Sequence, residues 1–268
     1  MQQIPVRMTV KEVIDALEQF APLPLQDDFD NAGLQVGLTE ADVTGALLCL
    51  DVTEGVIDEA AARGLNLVVA HHPLLFRPLK RVVGQTYVER CTMKAVREGI
   101  AIYAAHTNLD NAVGGVSYEM ARRIGLQDVR ILAPRMVGER TCGAGVIGTL
   151  PHDEDERSFL TRLKADFHVS ALRHGALIGR SIRRVALCGG AGAFLLDEAV
   201  SQKADCYITG EFQYHDYFGR EDELLMVEMG HYESEQFTTA IFERLLKERF
   251  PAMRIEYTSL NTNPINTL

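Results

Sequence analysis

Apolar and polar positions along this chain follow two periods. Val10, Val13, Ile14 and Leu17 recur at helical spacing behind Thr9-Val-Lys-Glu12, a capping-box sequence, and Pro22 and Pro24 end that helix. Phe29 to Gly37 reads as a turn leading into a short strand. From residue 45 onward, short continuous apolar runs alternate with amphipathic stretches. The pattern predicts strands over Ala46–Leu50, Leu65–Ala70 and Ile100–Ala105. It predicts helices over Glu54–Arg63, Thr86–Glu98 and Val116–Ile124, with Gly64 and Gly99 as stops. A second series begins near Arg184, with strands at Val185–Leu187, Cys206–Thr209 and Leu224–Met229 and helices at Phe194–Gln202 and Thr238–Glu248. Strands alternating with helices of about ten residues predict an α/β fold, its mostly parallel sheets covered by helices on both faces.

The two series can be laid on one another. A shift of 139 residues puts Asp58-Glu59-Ala60 on Asp197-Glu198-Ala199, Cys49 on Cys188 and His71-His72 on Gly210-Glu211. A shift of 125 puts His106 on His231 and Asp110 on Glu235. Three identities in a row are weak, since any two βαβ units share a hydrophobic pattern. The matched His-x-x-x-carboxylate after a strand favours an internal duplication. The expected organisation is a first α/β lobe over 1–130, an ordered connection or small subdomain over 131–184, and a second α/β lobe over 185–268. Within the middle piece, Gly143–Leu150 is strand-like and Ser158–Phe167 has a helix pattern.

Composition narrows the class. The chain has 268 residues, 47% hydrophobic and 24% charged, an ordinary globular balance with enough apolar material for a core. A net charge of −10 argues against non-specific nucleic-acid or anionic-membrane binding. No apolar run approaches a membrane span, and Met1 to Lys11 has no apolar core of a secretory signal, so a cytoplasmic location is expected. The five Cys are widely spaced with no CxxC pair, which suits small buried residues better than disulfides or a thiolate zinc site.

Chemistry gathers where strands end, the edge at which open α/β sheets bind ligands. His71-His72-Pro73 follows the second strand. Side chains alternate within a strand, but past its end two adjacent imidazoles can diverge towards neighbouring ions; one buried structural His beside an exposed one is an equal reading. His106 and Asp110, four residues apart, follow the third strand, although Thr107, Asn108 and Asp110 also suit a plain helix start. His231 and Glu235 repeat that spacing, and a helix dipole explains Glu233 and Glu235 but not His231. Together these are five or six N/O donors, more than one catalytic zinc needs, which favours two ions. Glu211 is a candidate general base at the end of Cys206–Thr209, with surface carboxylate as the plain alternative. Cys188-Gly-Gly-Ala-Gly-Ala-Phe194 could present amides to a phosphate, but it lacks the third glycine of a dinucleotide fingerprint and reads better as a tight turn. His215 could line the same mouth; His152, His168 and His174 have no partner spacing.

Five segments carry a specific resemblance: FDNAGLQVG (29–37), VVAHHPLLF (68–76), AAHTNLDNAVGG (104–115), YITGEFQYHD (207–216) and MGHYESEQ (229–236). Their order resembles the motif set of the Nif-three-like, or YbgI-like, family, whose members are labelled GTP cyclohydrolase 1 type 2 homologues. The resemblance implies a two-lobed α/β fold with a dinuclear centre of two divalent ions per chain in the cleft; imidazole and carboxylate donors suit zinc, iron, manganese or nickel. It implies His71, His72, Asp110, His231 and Glu235 as metal ligands, with Glu235 as the bridge, and His106 as a sixth ligand or a group supporting one. It also implies a ring-shaped homohexamer, a trimer of dimers. FDN stands where WDN is more usual, and 131–184 is too short for the extra domain that longer members carry.

Two functions from different classes follow. One is a metal-dependent hydrolase acting on a small molecule such as a nucleotide, with Glu211 or His106 moving protons; the family label suggests opening of the GTP ring. The other is a non-catalytic metal-binding scaffold, a metal-delivery protein or a regulatory partner.

Overall fold

A computed structural model describes residues 8–268. The expectation that Met1 to Lys11 lacks a secretory signal falls mostly outside those residues. In chain order the elements are α1 (Val10–Phe20), β1 (Gly33–Val36), β2 (Ala46–Cys49), α2 (Glu54–Ala62), β3 (Leu67–Ala70), α3 (Tyr87–Glu98), β4 (Ala101–Ala104), α4 (Thr107–Asp110) and α5 (Val116–Ile124). There follow β5 (Gln127–Val137), β6 (Arg140–Glu154), α6 (Glu156–Asp166), β7 (Arg173–His174), β8 (Ile182–Cys188), α7 (Leu196–Ser201), β9 (Cys206–Thr209), β10 (Leu225–Glu228), α8 (His231–Glu235), α9 (Thr238–Arg249) and β11 (Ile255–Tyr257). Among the described residues no helix is long and apolar enough to cross a membrane.

The chain forms two compact units. The first takes the described chain up to Leu109 together with Thr238–Asn263; the second is Asp110–Phe237 with Pro264–Leu268.

In the first unit the sheet order is β1-β4-β3-β2-β11. Strands β4, β3, β2 and β11 run parallel, and β1 closes the edge antiparallel. Strands β2, β3 and β4 are buried at every position, as their unbroken apolar runs require. Leu47, Val68 and Ile102 pack with Val56, Ile57 and Ala60 of α2 and Cys91 and Ala95 of α3. Each fully covered leucine or isoleucine there contributes about 1.5–3 kcal/mol. Helix α9 lies on β2 and against α1. Thr9, Thr53 and Thr86 cap α1, α2 and α3 by accepting from the backbone N–H three residues on, and the Thr9-Glu12 capping box is complete. Gly99 ends α3 in the left-handed conformation, φ 65°, which a side chain would resist.

In the second unit the sheet order is β5-β6-β8-β9-β10-β7. Strands β8, β9 and β10 are parallel; β5, β6 and β7 add antiparallel pairings at the two sides. Alternation along the central strands feeds two cores. Val185, Ile208 and Val227 meet Phe159, Leu163 and Phe167 on α6 and its end, while Ala186, Tyr207 and Met226 face the layer of Leu196, Ala199 and Phe212.

The architecture is α/β, as expected, but both sheets are mixed, with parallel centres and antiparallel edges. The units also divide differently from 1–130, 131–184 and 185–268. Residues 131–184 supply most of β5 and all of β6, which pairs with β8, so they are sheet rather than connection. At the other end α9 and β11 return to the first unit, where Ile255 pairs with Ala46. A three-residue strand carrying Glu256 has too little apolar signal to be read from sequence.

One register is repeated. Ala46 pairs with Leu67 and Cys49 with Ala70; their counterparts 139 residues on, Val185 with Cys206 and Cys188 with Thr209, pair identically. A duplicated half would give this agreement.

Candidate metal centre

In the first unit β3 ends at Ala70, and the N–H groups of His71 and His72 both donate to Leu50 O, at 3.2 and 3.0 Å. Two consecutive residues anchored to one carbonyl leave the alternation of the strand. Their rings end up on the same side, centroids 4.9 Å apart. His106, two residues beyond β4, places its ring 5.3 Å from His71 and 5.4 Å from His72. One nitrogen from each of the three lies within 4.8 Å of the others.

Each imidazole is held from behind through Nδ1. His71 Nδ1 is 2.8 Å from Ala105 O, His72 Nδ1 is 2.7 Å from Asp51 Oδ1, and His106 Nδ1 is 2.7 Å from Asp30 Oδ1. A carbonyl or an ionised carboxylate can only accept, so Nδ1 donates in all three. In a neutral ring so held, Nε2 is the atom with the lone pair, the arrangement that orients and strengthens a histidine metal ligand. Burial pushes the Asp30 carboxyl up, but hydrogen bonds from His106 and Thr107 outweigh it and hold it down to about 2. Asp51 also accepts from Thr262 Oγ1 at 2.7 Å.

In the second unit β10 runs into Met229, Gly230 and then α8, whose first and last residues are His231 and Glu235. One helical turn brings them together: His231 Nε2 lies 3.1 Å from Glu235 Oε2. His231 Nδ1 is 2.8 Å from Glu211 Oε1, just beyond β9. Glu235 is 3% exposed. Asp110, the last residue of α4, offers a carboxylate oxygen within 4.8 Å of one from Glu235.

Glycines make room for this carboxylate. Gly190 sits at φ 62°, and a Cβ there would collide with Glu235 Oε1. A Cβ on Gly210 would meet Gly190 O at 2.6 Å. Two amides of the loop are already committed: Gly190 N donates to Ser234 Oγ at 3.0 Å and Gly192 N to Thr209 Oγ1 at 2.8 Å. The glycine-rich turn therefore serves close packing around Glu235, which is why glycines stand there without a phosphate fingerprint.

The six candidate donors fall in two clusters. His71, His72 and His106 converge in the first unit; Asp110, His231 and Glu235 converge in the second, with Glu211 behind His231. His215 stacks with Tyr214 and Phe218, rings 5.2 and 6.0 Å away. Sequence reasoning missed Asp30 and Asp51. Asp51 follows the end of β2 by two residues, a strand-end carboxylate beside the strand that leads to His72, and that position was its signal. The five cysteines are buried and free. Burial, with the nearby carboxylates of Asp110 and Glu235, pushes the Cys188 thiol up to about 12, so it stays protonated. The donors are thus imidazoles and carboxylates, a set that suits zinc, iron, manganese or nickel.

Comparison with known proteins agrees with this architecture. A family model described as Duf34/NIF3 (NGG1p interacting factor 3) matches residues 8–264. A "GTP cyclohydrolase 1 type 2 homolog" of Clostridium acetobutylicum is 31% identical over 251 residues, 92% of this chain and 93% of that protein. A protein of the same description from Lactococcus lactis is 34% identical over 245 residues, 89% of this chain and 91% of that one. The crystal structure of Staphylococcus aureus protein SA1388 superposes with a TM-score of 0.89 at 22% identity, covering 97% of this chain and 99% of that one, a likeness of fold.

Proposed function

From its membership of the Duf34/NIF3 family, to which this chain belongs, we propose that the protein holds two divalent metal ions and acts as a metal-dependent hydrolase. In this reading His71, His72, Asp110, His231 and Glu235 are the ligands, and His106 is a sixth ligand or supports one. The observation that carries it is the Nδ1 anchoring: four imidazoles are each fixed by an acceptor behind the ring, at 2.7–2.8 Å. The exposed His174 shows the same contact, with Gly175 O at 2.7 Å, but stands apart from other donors; where donors converge, a metal ligand gains orientation and basicity from such bracing. Six donors exceed the three protein ligands of one catalytic zinc, and a two-oxygen carboxylate such as Glu235 suits a bridge.

Two such ions, when bound, lower the pKa of water and polarise a substrate oxygen or nitrogen. The residues do the rest. Asp30, Asp51 and Ala105 O keep the first imidazoles fixed, so donor positions change little through a reaction. Glu211, 56% exposed in its side chain, holds His231 on one side and meets solvent on the other, which suits it to pass a proton. The names of the relatives point to a nucleotide as the substrate class.

One observation favours a second reading. His71 is 0% exposed and Glu235 only 3%, a degree of closure expected of a site that stores metal or stiffens a scaffold.

The test is direct. The protein loaded with zinc or manganese is incubated with GTP, other nucleotides and phosphoesters. Product release that Glu235→Ala abolishes supports the hydrolase. A fully loaded protein inert across that panel favours the scaffold. Elemental analysis finding no metal in wild type and no difference in His72→Ala removes both.

A further inference from the structure

Phe29 and Phe76 face solvent at 66% and 42% exposure, although the strands behind them bury every position. Their rings meet edge to face, centroids 6.4 Å apart at 63°. Phe76 in turn stands 6.0 Å from the His106 ring at 83°. Neither ring is on a loose segment. Asp30, next to Phe29, is bound to His106 Nδ1 and accepts from Thr107 N at 3.0 Å. Asn31 Nδ2 donates to Leu75 O at 2.7 Å, and Leu75 N donates to Gln35 Oε1 at 3.1 Å. The two aromatic segments are pinned to each other and to the imidazole cluster, so the rings make a fixed corner beside it.

An uncovered pair of phenylalanines forgoes burial worth about 1.5–3 kcal/mol each, and a rigid pair beside convergent polar groups is the usual lining of a small-molecule site. Their open surface, from side chains that bury about 150–250 Å² when covered, is far below the roughly 800 Å² per partner of a stable protein interface. It matches one face of a flat ring.

We propose that Phe29 and Phe76 form a stacking platform that takes a planar heteroaromatic ring of purine size on the His106 side of the centre. The inference rests on the metal-centre reading for what the ring is held beside. It goes further in assigning the substrate class to two residues that bind no metal. Phe29 and Phe76 set specificity by ring stacking, and the charged or sugar part of the ligand is left to other groups.

The test is calorimetric titration of the zinc-loaded full chain with guanosine 5′-monophosphate and with ribose 5-phosphate, which lacks the base. Wild type should bind the nucleotide at least tenfold more tightly. Phe29→Ala and Phe76→Ala should each weaken nucleotide binding about three- to tenfold, the range for loss of one aromatic pair. Ribose 5-phosphate binding and zinc uptake should not change, and Phe29→Trp should keep nucleotide affinity. Equal affinity for the two probes, no nucleotide binding, or alanine variants that weaken both probes alike would each overturn the platform. So would a fall in subunit number by sedimentation in those variants, because the rings would then pack between copies. Zinc uptake is read separately. If wild type takes up no zinc the metal centre falls, and the base-dependent difference is still scored on the metal-free protein.

Discussion

Asp30 and Asp51 lie outside the proposed ligand set, yet they fix two of the candidate imidazoles. Each carboxylate accepts from Nδ1 of one imidazole, His106 or His72, and so fixes both tautomer and ring angle. Replacing either by Asn keeps the shape and an acceptor oxygen but removes the charge that raises ligand basicity. Asp30→Asn and Asp51→Asn should each lower metal affinity about 10–100-fold with the circular dichroism spectrum unchanged. Competition against a chelating dye measures this, and unaltered affinity would show that the carboxylates matter only to folding. The ligand candidates themselves were legible because residue type and spacing coincide at strand ends: two adjacent His, and twice a His with a carboxylate four residues on. Asp30 was not, because it meets His106 across 76 residues and no local spacing encodes such a pair.

At the level of elements, the turn between β8 and α7 is shaped by what lies over it. Gly190→Ala would force a left-handed residue, φ 62°, into the space of Glu235 Oε1. A loss of about 1–3 kcal/mol in stability is expected from the conformation alone, together with weaker metal binding. Gly138→Ala, also at positive φ but with nothing within 4 Å of its Cβ, should lose stability only. Comparing metal content of the two variants separates the effects. A second element-level device is the clamp on the segment after β11. Glu59 of α2 accepts from Ser259 N at 2.9 Å, from the hydroxyls of Thr258 and Ser259, and from Arg63. Burial would raise its carboxyl, but the hydrogen bonds from Ser259 and Thr258 and the Arg63 charge hold it below the usual range. The clamp should therefore be fully present above the ordinary glutamate value of about 4.3 and lost as pH falls through the lower folded value. Glu59→Gln should cost about 2 kcal/mol at pH 7, and its melting temperature should converge on that of wild type in acid. A constant gap across pH would contradict this.

Elements with unbroken apolar runs, β2, β3, β4 and β9, were legible to within a residue or two, because full burial writes itself into composition. Strand β5 was not. It is exposed at most positions and contains Pro134, which normally argues against a strand but is tolerated here at the sheet edge.

For the whole molecule, bound metal should act as a stabilising ligand. At free metal one hundred times the dissociation constant, the gain is about 2.7 kcal/mol per site. A chelator should lower the melting temperature of wild type and leave His72→Ala much less affected; an identical drop in both would argue against metal held at His72. The division into units was less legible than the chemistry. Sequence order suggested consecutive lobes, whereas pairing of Ile255–Tyr257 with Ala46–Leu48 draws the chain back into the first unit.

That return has a consequence for synthesis. Apart from residues 264–268, the second unit lies within Asp110–Phe237 and can finish while the ribosome is still working. The first unit cannot, because its sheet lacks a strand beside β2 until Tyr257 has emerged. A nascent chain halted between 238 and 254 would carry a complete second unit and a first sheet with its fully buried strand β2 open along one edge. Such an edge invites pairing with other chains. Truncated products should therefore be drawn to chaperones or into aggregates, so that β11 separates chains with a paired β2 from chains without one.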